Sequence, residues 1–532
     1  MRILYNANIH TLDADQPHAT TLAIDDHAPH AGRILAIGTD DFIQAEFSHR
    51  SEAEDMQGRT LIPGLTDAHL HLRSYAHSLD KVDCVTQTRQ ECLDRVAEKA
   101  ETLEPDVWLL GHGWNQNHWS EGFGTAADLD AAAPQNPVYL SASSLHAAWA
   151  NSAALKAAGI DNNTPDPPNG EIQRDAEGNP TGILFESAMQ LISGVIPQPS
   201  HADNVAAIKT AQEHLWPMGL TGVHDFDRRR SFLALQDLHA NGDLQLRVLK
   251  HIPVERLDYA LGVGLRSGFG DDLLRIGSVK VFMDGALGPH TAAMFAPYED
   301  EPDNRGMLFM DGEELFEYAQ QAALGGLGMT VHAIGDRANH ETLLAFENLR
   351  IFEKQEALSA RRHRIEHVQV LDAADLNRLA DLDVIASVQP IHATSDMQAV
   401  DAYWGARGEH AYAFRTLLEA GTQLAFGSDA PVESPNPFWG IHAAVTRQRA
   451  DGSPGTDGWY PGQRLSVLEA MQAYTSGAAF AAGMEDRLGM LKAGSLADLL
   501  VLDTDPFTSD PSELKDIVPQ ATMLGGDWVY RA

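Results

Sequence analysis

The sequence predicts an α/β fold of the distorted (β/α)8 TIM-barrel class, with a small β-sandwich domain built from both termini and an insertion domain. Strand-like apolar runs alternate with helical segments through the middle of the chain, and polar residues follow several of these runs. Both ends of the chain instead contain short strand-like segments without a helical period. A length of 532 residues exceeds an ordinary single domain, so we expect more than one folding unit.

These patterns divide the chain into five segments. Residues 1–60 and 488–532 are predicted to form the two parts of the β-sandwich, because both contain short apolar strands separated by turns. Residues 61–104 start the barrel, and residues 201–487 complete it. Residues 105–200 interrupt the alternation of strands and helices, and such an insertion commonly serves as a lid or substrate domain.

The charge and composition limit the classes of partner. The chain has 38 basic and 75 acidic residues, and its net charge of −37 would repel a phosphate backbone, so we expect no nucleic-acid partner. No uncharged apolar run is long enough to span a membrane. The first residues lack the apolar core of an export signal, and two cysteines are too few for a disulfide framework. We therefore expect a cytoplasmic protein that acts on a small molecule, as a monomer or a homo-oligomer.

The first barrel strand is predicted within the apolar run 61–72, which Pro63 and Gly64 interrupt. Residues two apart on a strand point to the same face, so His69 and His71 aim at one spot. This is a metal-ligand arrangement, although two histidines in a polar strand are more often surface residues. The choice between these two interpretations depends on whether later strands also end in ligand-type residues.

Repeated strand and helix units come next. Thr88 and Glu91 form a capping-box pattern ahead of a helix, and a second helix carries Val205, Ile208 and Leu215. Further strands are predicted at 219–226, 273–284, 329–334, 364–368, 384–389 and 423–429, with helices near 313–324, 373–379 and 411–420. Functional groups of a parallel barrel gather at the C-terminal ends of its strands, so polar residues at these ends are the candidates for a site.

Lys280 lies between Val279 and Val281 in one of these strands. The valine face suits packing against helices outside the barrel, which turns Lys280 inward. A buried lysine is costly unless it is neutralised or paired, so a purely structural role has its own difficulty. The alternative is an ion pair with Asp284 or Asp225.

His332, His367 and Asp429 each follow an apolar strand-like run. Taken singly, each histidine would more often be a satisfied core or loop residue, and Asp429 could cap the turn before Pro431. With the three earlier positions they make a set of four histidines, one carboxylate and one lysine. This set suits a borderline divalent metal such as Zn²⁺, while Mn²⁺, Fe²⁺ or Co²⁺ are alternatives.

Motifs around these positions resemble the amidohydrolase superfamily, and most closely its amidohydrolase-3 branch, which includes N-substituted formamide deformylase. The motifs are Pro-Gly-x-x-Asp-x-His-x-His at 63–71, Lys-Val-Phe-Met-Asp-Gly at 280–285, His-Ala-Ile-Gly-Asp-Arg at 332–337, Arg-Ile-Glu-His at 364–367 and Gly-Ser-Asp-Ala-Pro at 427–431. The resemblance covers nearly the whole chain. The metal ligands that it implies are His69, His71 and Asp429 for one ion, His332 and His367 for another, and Lys280 between them as a carbamate.

The resemblance also implies a function. We expect a metal-dependent hydrolase of non-peptide C–N bonds of the amide or formamide type, in which water activated by the metal attacks a carbonyl and Asp429 is the catalytic general acid/base. One alternative is deamination of an aminopyrimidine-type ring on the same metal site. Another is a non-catalytic binding or regulatory protein on a retained barrel, which would usually have lost one or more ligands.

Candidate substrate contacts are Trp114, His146, His290, Arg337 and Gln389. The chain has Gly-Pro-His-Thr at 288–291, where the family commonly has Gly-Ser-Arg-Thr, so one fixed positive charge is missing. Together with the tryptophans of the insertion, this difference favours a neutral, partly apolar substrate. The alternative for the tryptophans is that they pack the insertion's own core.

Overall fold

In the computed structural model, which describes residues 1–27, 31–41, 52–116, 119–143 and 146–532, eight parallel strands form a nearly closed barrel. A parallel bridge between Leu70 and Ala430 joins the two edges of the sheet. The predicted (β/α)8 fold class is therefore confirmed. In spatial order the strands are Leu424–Phe426, Ile385–Val388, Arg364–His367, Met329–Ala333, Leu274–Phe282, Arg247–Pro253, Leu220–Asp225 and Leu65–Leu70.

The strand Arg247–Pro253 was not predicted from the sequence. Two basic residues interrupt its apolar pattern, and both have buried acidic partners. Arg247 forms two hydrogen bonds with the carboxylate of Asp498, and Lys250 Nζ lies 3.0 Å from a carboxylate oxygen of Asp225. Because those partners lie far away in sequence, the pattern alone could not indicate that the charges are neutralised.

The apolar run 61–72 contains two strands instead of one. Thr60–Pro63 pairs with Asn8–His10 and Leu499–Leu502, whereas Leu65–Leu70 belongs to the barrel. Gly64 lies between them, and a Cβ atom there would come within 2.4 Å of the Thr221 hydroxyl oxygen. The chain therefore passes from one sheet to the other at the position where Pro63 and Gly64 interrupt the run.

Helices separate most of the barrel strands. Asp311 caps the helix Gly312–Gly325 by accepting a hydrogen bond from the Glu314 N–H, and Gly326 ends that helix in a left-handed conformation with φ 78°. Among the described residues, no helix is both long and apolar enough to cross a membrane. The helices that begin at the barrel or follow it are Leu72–Ser78, His201–Leu215, Arg229–Ala240, Leu257–Gly262, Gly312–Gly325, Asp336–Gln355, Arg378–Asp381, Pro390–Tyr403, Phe414–Glu419, Pro437–Thr446, Val467–Gln472 and Ala478–Ala482.

Strands from the two ends of the chain share a sheet and a hydrophobic core. The core contains Leu4 and Ile24 together with Leu499 and Met523, all of them buried. A four-stranded sheet has the order Arg33–Gly38, Thr21–Asp25, Arg2–Tyr5 and Glu52–Asp55. A six-stranded sheet has the order Asp527–Arg531, Ala521–Leu524, Leu499–Leu502, Thr60–Pro63, Asn8–His10 and His18–Ala19.

Residues Ala76–Ser200 form a second compact unit, separate from the unit Met1–Tyr75 with His201–Ala532. It starts earlier than the predicted residue 105, because Cys92 and Val96 pack in its core. The capping residue Thr88 identifies the helix that carries them, but not the sheet against which that helix packs. The strands in order are Gly170–Arg174, Pro180–Glu186, Ala147–Ala150, Val138–Ala142, Leu109–Trp114 and Val82–Asp83, and the helices are Arg89–Glu101, Ala126–Ala132, Ser152–Ala157 and Met189–Ser193.

Candidate metal centre

The two edges of the barrel sheet meet at the first candidate ligands. The N–H of Asp429 donates to the carbonyl oxygen of His69 at 2.7 Å, and the N–H of His71 donates to the carbonyl oxygen of Ala430 at 2.9 Å. One carboxylate oxygen of Asp429 lies 3.4 Å from His69 Nε2 and 3.4 Å from His71 Nε2. The structure therefore brings these three side chains together, with ligand-type atoms around one point.

Asp67 fixes the backbone on both sides of this junction. Its carboxylate accepts the N–H of His69 at 3.0 Å and the N–H of Ser428 at 3.1 Å, and it also accepts the Ser428 hydroxyl. Burial raises the pKa of Asp67 to about 7, although these hydrogen bonds oppose the shift. The aspartate of the motif at 63–71 thus has a positioning role that the sequence analysis did not assign.

His332 and His367 lie side by side, with ring centroids 4.5 Å apart. His332 Nε2 is 3.0 Å from the carbonyl oxygen of Gly285, and His367 Nδ1 is 2.9 Å from Gln389 Oε1. Because these oxygens can only accept, the contacting nitrogens carry the protons. The other nitrogen of each ring keeps its lone pair, which is the form of imidazole that binds a cation.

His69 is oriented by a buried carboxylate. Its Nδ1 lies 2.6 Å from Glu366, which also accepts hydrogen bonds from Arg364 and from the Thr330 hydroxyl. Burial would raise the pKa of Glu366, but Arg364 and His69 hold it well below its ordinary value. A carboxylate paired in this way with a histidine fixes the tautomer that leaves Nε2 open. Arg364 and Glu366 belong to a recognised motif, but the sequence alone assigned neither of them a role.

Lys280 is buried, and its Nζ has no hydrogen-bond partner in the described part of the chain. The two acidic partners considered from the sequence are engaged elsewhere. Asp284 accepts three backbone N–H groups, and Asp225 pairs with Lys250. Burial lowers the pKa of Lys280 to about 8. The geometry therefore does not support either ion pair.

Burial keeps most of the candidate imidazoles neutral. It lowers the pKa of His69 to about 4 and that of His332 to about 3, and it holds the pKa of His367 well below the ordinary value. His71 differs. Burial would lower its pKa, but the hydrogen bonds that its ring donates to the carboxylates of Asp227 and Asp429 outweigh burial and raise that pKa to about 9.

This donor set fits a divalent metal ion. Burial would raise the pKa of Asp429, but His69 and its neighbouring histidines keep it below the ordinary range, so the carboxylate is an anionic oxygen ligand. Nζ of Lys280, which has no hydrogen-bond partner among the described residues, is the atom on which a carbamate would form, and the carbamate would supply the oxygen donors. Imidazole nitrogens combined with carboxylate oxygen suit Zn²⁺ and related borderline ions.

A further histidine reaches the site. His392 lies in the first turn of the helix Pro390–Tyr403, which follows the barrel strand Ile385–Val388. One of its ring nitrogens lies within 4.8 Å of ligand-type atoms of both His367 and Asp429. The rule that candidate ligands lie at strand ends does not identify His392, because this histidine lies on a helix. The available signal was a proline suited to the first turn of a helix, directly after a predicted barrel strand.

Two predicted substrate contacts have different surroundings. Gln389 is buried and hydrogen-bonded to the ring of His367, so it orients that ring. A substrate contact by Gln389 stays a prediction. Arg337 is exposed at the start of the helix Asp336–Gln355, and its N–H donates to the carbonyl oxygen of Ala293 at 3.1 Å. A substrate contact by Arg337 stays a prediction.

His290 is held within its own loop. Its Nδ1 lies 2.8 Å from the carboxylate of Glu301, and its ring stacks on Tyr298 with a centroid distance of 4.8 Å. The residue has φ 53°, a left-handed conformation that is uncommon for a side chain of this size. A substrate contact by His290 also stays a prediction.

The remaining two candidates belong to the second unit. Trp114 is fully buried, its indole N–H donates to the carbonyl oxygen of Leu140 at 2.8 Å, and it packs with Trp119 and Trp149 in that unit's core. This is the packing alternative that the sequence left open for the tryptophans. His146 is largely exposed and lies 2.9 Å from Glu186.

Comparison with known proteins agrees with this fold. The profile of the Amidohydrolase family matches residues 52–530. Protein LONG AFTER FAR-RED 3 of Arabidopsis thaliana is 33% identical over 545 residues, covering 99% of this chain and 91% of that protein. N-substituted formamide deformylase of Arthrobacter pascens is 30% identical over 549 residues, covering 98% of this chain and 97% of the enzyme.

A solved structure extends the comparison to three dimensions. An uncharacterized metal-dependent hydrolase of Pyrococcus furiosus superposes with a TM-score of 0.78 and 30% sequence identity, covering 95% of this chain and 100% of the other. The family profile and the solved structure both agree with the barrel fold. Histidine and carboxylate groups lie at the ends of the barrel strands, as expected for a metal-dependent hydrolase. The chain therefore belongs to the metal-dependent amidohydrolase family.

Proposed function

We propose that this protein is a metal-dependent hydrolase of non-peptide C–N bonds of the amide or formamide type. The observation that carries the proposal is the position of the Asp429 carboxylate, 3.4 Å from the Nε2 atoms of both His69 and His71. The residues that would hold metal are His69, His71, His332, His367 and Asp429, with Lys280 as a carbamate. Bound there, a divalent cation supplies the Lewis acidity that activates water and polarises a carbonyl group.

Asp429 is the proposed general acid/base. Its carboxylate is kept ionised by the surrounding histidines, so it can accept a proton from the attacking water. The same oxygen can then deliver that proton to the leaving nitrogen. Glu366 and Asp67 serve this step indirectly, because they hold His69 and the backbone beside Asp429 in place.

Aromatic rings near the centre support a substrate with an apolar amine portion. Phe226 stacks on the ring of His69 at 3.9 Å, and Phe282 lies 5.1 Å from the ring of His332. Phe282 is 45% exposed at the end of its barrel strand, where a ligand could cover it. These rings replace the tryptophans of the insertion as the support for this part of the proposal.

The proposed substrate is a small, neutral N-formyl or N-acyl amine. The name of the relative from Arthrobacter pascens supports the formyl compounds as the first ones to examine. The absence of an arginine at position 290 supports a neutral substrate, because one fixed positive charge is missing from the loop 288–291. The tested compounds should therefore differ in charge while keeping the same scissile bond.

A substrate screen on metal-loaded protein tests the proposal. We expect release of the amine from N-formyl and N-acyl benzylamines, with a smaller kcat/KM for matched compounds that carry a ring carboxylate. An advantage of about tenfold or more for the carboxylate compounds, roughly 1.4 kcal/mol of transition-state preference, would contradict the neutral-substrate part alone. Ammonia release from aminopyrimidines only would indicate a ring deaminase. Metal-loaded protein that acts on neither class, nor on carbamates, would contradict the hydrolase itself.

A further inference from the structure

His392 occupies a position that packing alone does not explain. It lies at the third position of the helix Pro390–Tyr403, and its backbone N–H donates to the carbonyl oxygen of Gln389 at 3.1 Å. Only 6% of the residue is exposed. Its Nε2 is buried, and no hydrogen-bond partner for it occurs within the ranges that the structure describes. Buried polar nitrogens in folded proteins nearly always have a partner, so this atom calls for one beyond the described protein groups.

The neighbours of His392 indicate what that partner is. One ring nitrogen of His392, one of His367 and one carboxylate oxygen of Asp429 all lie within 4.8 Å of one another. The rings of His392 and His367 are nearly parallel, with an interplanar angle of 6° and centroids 6.4 Å apart. His367 already directs its Nδ1 proton to Gln389, so its other nitrogen is free to bind a cation.

Two donor groups of the same composition therefore share Asp429. The first consists of His69, His71 and Asp429, and the second of His367, His392 and Asp429. Two imidazoles and one carboxylate form a common protein ligand set for a catalytic divalent metal, because they leave a coordination position for water or substrate. The second group is complete without any modification of Lys280.

We propose that His392 is a metal ligand, and that it binds one ion together with His367 and Asp429. This inference rests on the metal part of the proposed function and adds a ligand to it. A role in substrate binding alone is the competing explanation, since a neutral imidazole can also donate a hydrogen bond to a carbonyl oxygen. The two explanations differ in what happens to metal affinity in the absence of substrate.

The test is a titration of metal-free protein with Co²⁺, which measures stoichiometry, Kd and the visible absorption of the bound ion. We compare the unmodified protein with His392→Ala and His392→Gln, and we use His442→Ala as the control. His442 is a helical histidine that is 4% exposed, which matches the burial of His392, and it belongs to neither donor group. Thermal unfolding of each variant checks that it is folded. If His392→Ala does not fold, the metal titration of His392→Gln decides whether His392 is a ligand.

The proposal predicts that both His392 variants lose one Co²⁺ or bind it with a Kd raised about tenfold or more, with an altered absorption spectrum, while His442→Ala matches the unmodified protein. Unchanged stoichiometry, Kd and spectrum in the folded His392 variants would overturn it, even if their turnover falls. That result would leave the proposed function intact. If the unmodified protein binds Co²⁺ but hydrolyses no C–N substrate, the proposed function fails while the ligand assignment can still hold. If it binds no Co²⁺, both fail.

Discussion

The backbone N–H of Asp429 donates a hydrogen bond to the carbonyl oxygen of His69 at 2.7 Å, and the side chains of the same two residues lie 3.4 Å apart. The same pair of residues therefore closes the barrel through its backbone and brings together the candidate metal centre through its side chains. Any change that separates the first and last barrel strands should weaken both the fold and metal binding.

A substitution at Gly427 tests the importance of this junction directly. A Cβ atom at Gly427 would lie 2.4 Å from the backbone nitrogen of His69 and 2.7 Å from the carboxylate of Asp67. We expect Gly427→Ala to lower the free energy of unfolding by about 1–3 kcal/mol, as overpacking typically does, and to weaken metal binding. Chemical denaturation and metal titration measure the two effects.

The matched control for this change is Gly262→Ala. Gly262 ends a helix, and a Cβ atom there would meet nothing within 4 Å. We expect this variant to keep the stability and metal affinity of the unmodified protein within about 1 kcal/mol. Equal behaviour of the two alanine variants would show that the junction tolerates a larger residue and would contradict its proposed importance.

Replacing Asp429 by asparagine should show whether activity depends on proton transfer by its side chain or only on the size of that side chain. Asp429→Asn keeps the size of the side chain but removes the carboxylate that is proposed to exchange protons with water and the leaving nitrogen. Turnover at saturating metal should fall by a factor on the order of 10² or more. Activity close to that of the unmodified protein under those conditions would mean that another group moves the proton.

The hydrogen bond between Gln389 and His367 predicts a positioning effect. Gln389→Leu removes the oxygen that accepts the His367 Nδ1 proton while keeping a side chain of similar bulk. Loss of such an outer partner typically weakens metal affinity by about 10–100-fold. Competition with a chelator measures this loss, and an unchanged affinity would return Gln389 to its predicted place as a substrate contact.

Lys280 is expected to be carbamylated when two metals are bound. In this reaction the neutral amine of Lys280 attacks CO₂, a C–N bond forms, and one proton is released to solvent. Two observations motivate the prediction: the buried Nζ has no hydrogen-bond partner among the described residues, and the lysine points inward from its strand. A crystal structure with two metals and an unmodified Lys280 in clear density would contradict it and leave a site without the bridging carbamate.

Much of the fold and of the candidate site could be predicted from the sequence, because the barrel and the candidate metal ligands follow local rules. His332 and His367 end apolar strands, and strands of a parallel barrel bring their C-terminal ends together. The role of His392 could not be predicted in that way, since a helix carries it and only the closed barrel brings it to Asp429. The strand that begins at Arg247 escaped prediction for a related reason, because its neutralising partner is distant in sequence.

The positions of the tryptophans show a second limit of sequence patterns. The sequence leaves two interpretations for the tryptophans of the insertion, the wall of a substrate pocket or the insertion's own core. Trp114 and Trp149 are both fully buried in the core of the second unit. The sequence alone does not distinguish an aromatic residue that contacts a ligand from one that packs in the core of its own unit. Phe282 received no role from the sequence, yet it is the exposed aromatic residue beside His332.

The metal content of the protein, purified without chelator and measured by elemental analysis, tests the central claim most directly. The donors His69, His71, His332, His367 and Asp429 predict one or two equivalents of a divalent transition metal per chain, removed by a chelator and restored by adding metal. Less than about half an equivalent of any transition metal, with no binding after metal is added back, would contradict the assignment of this site.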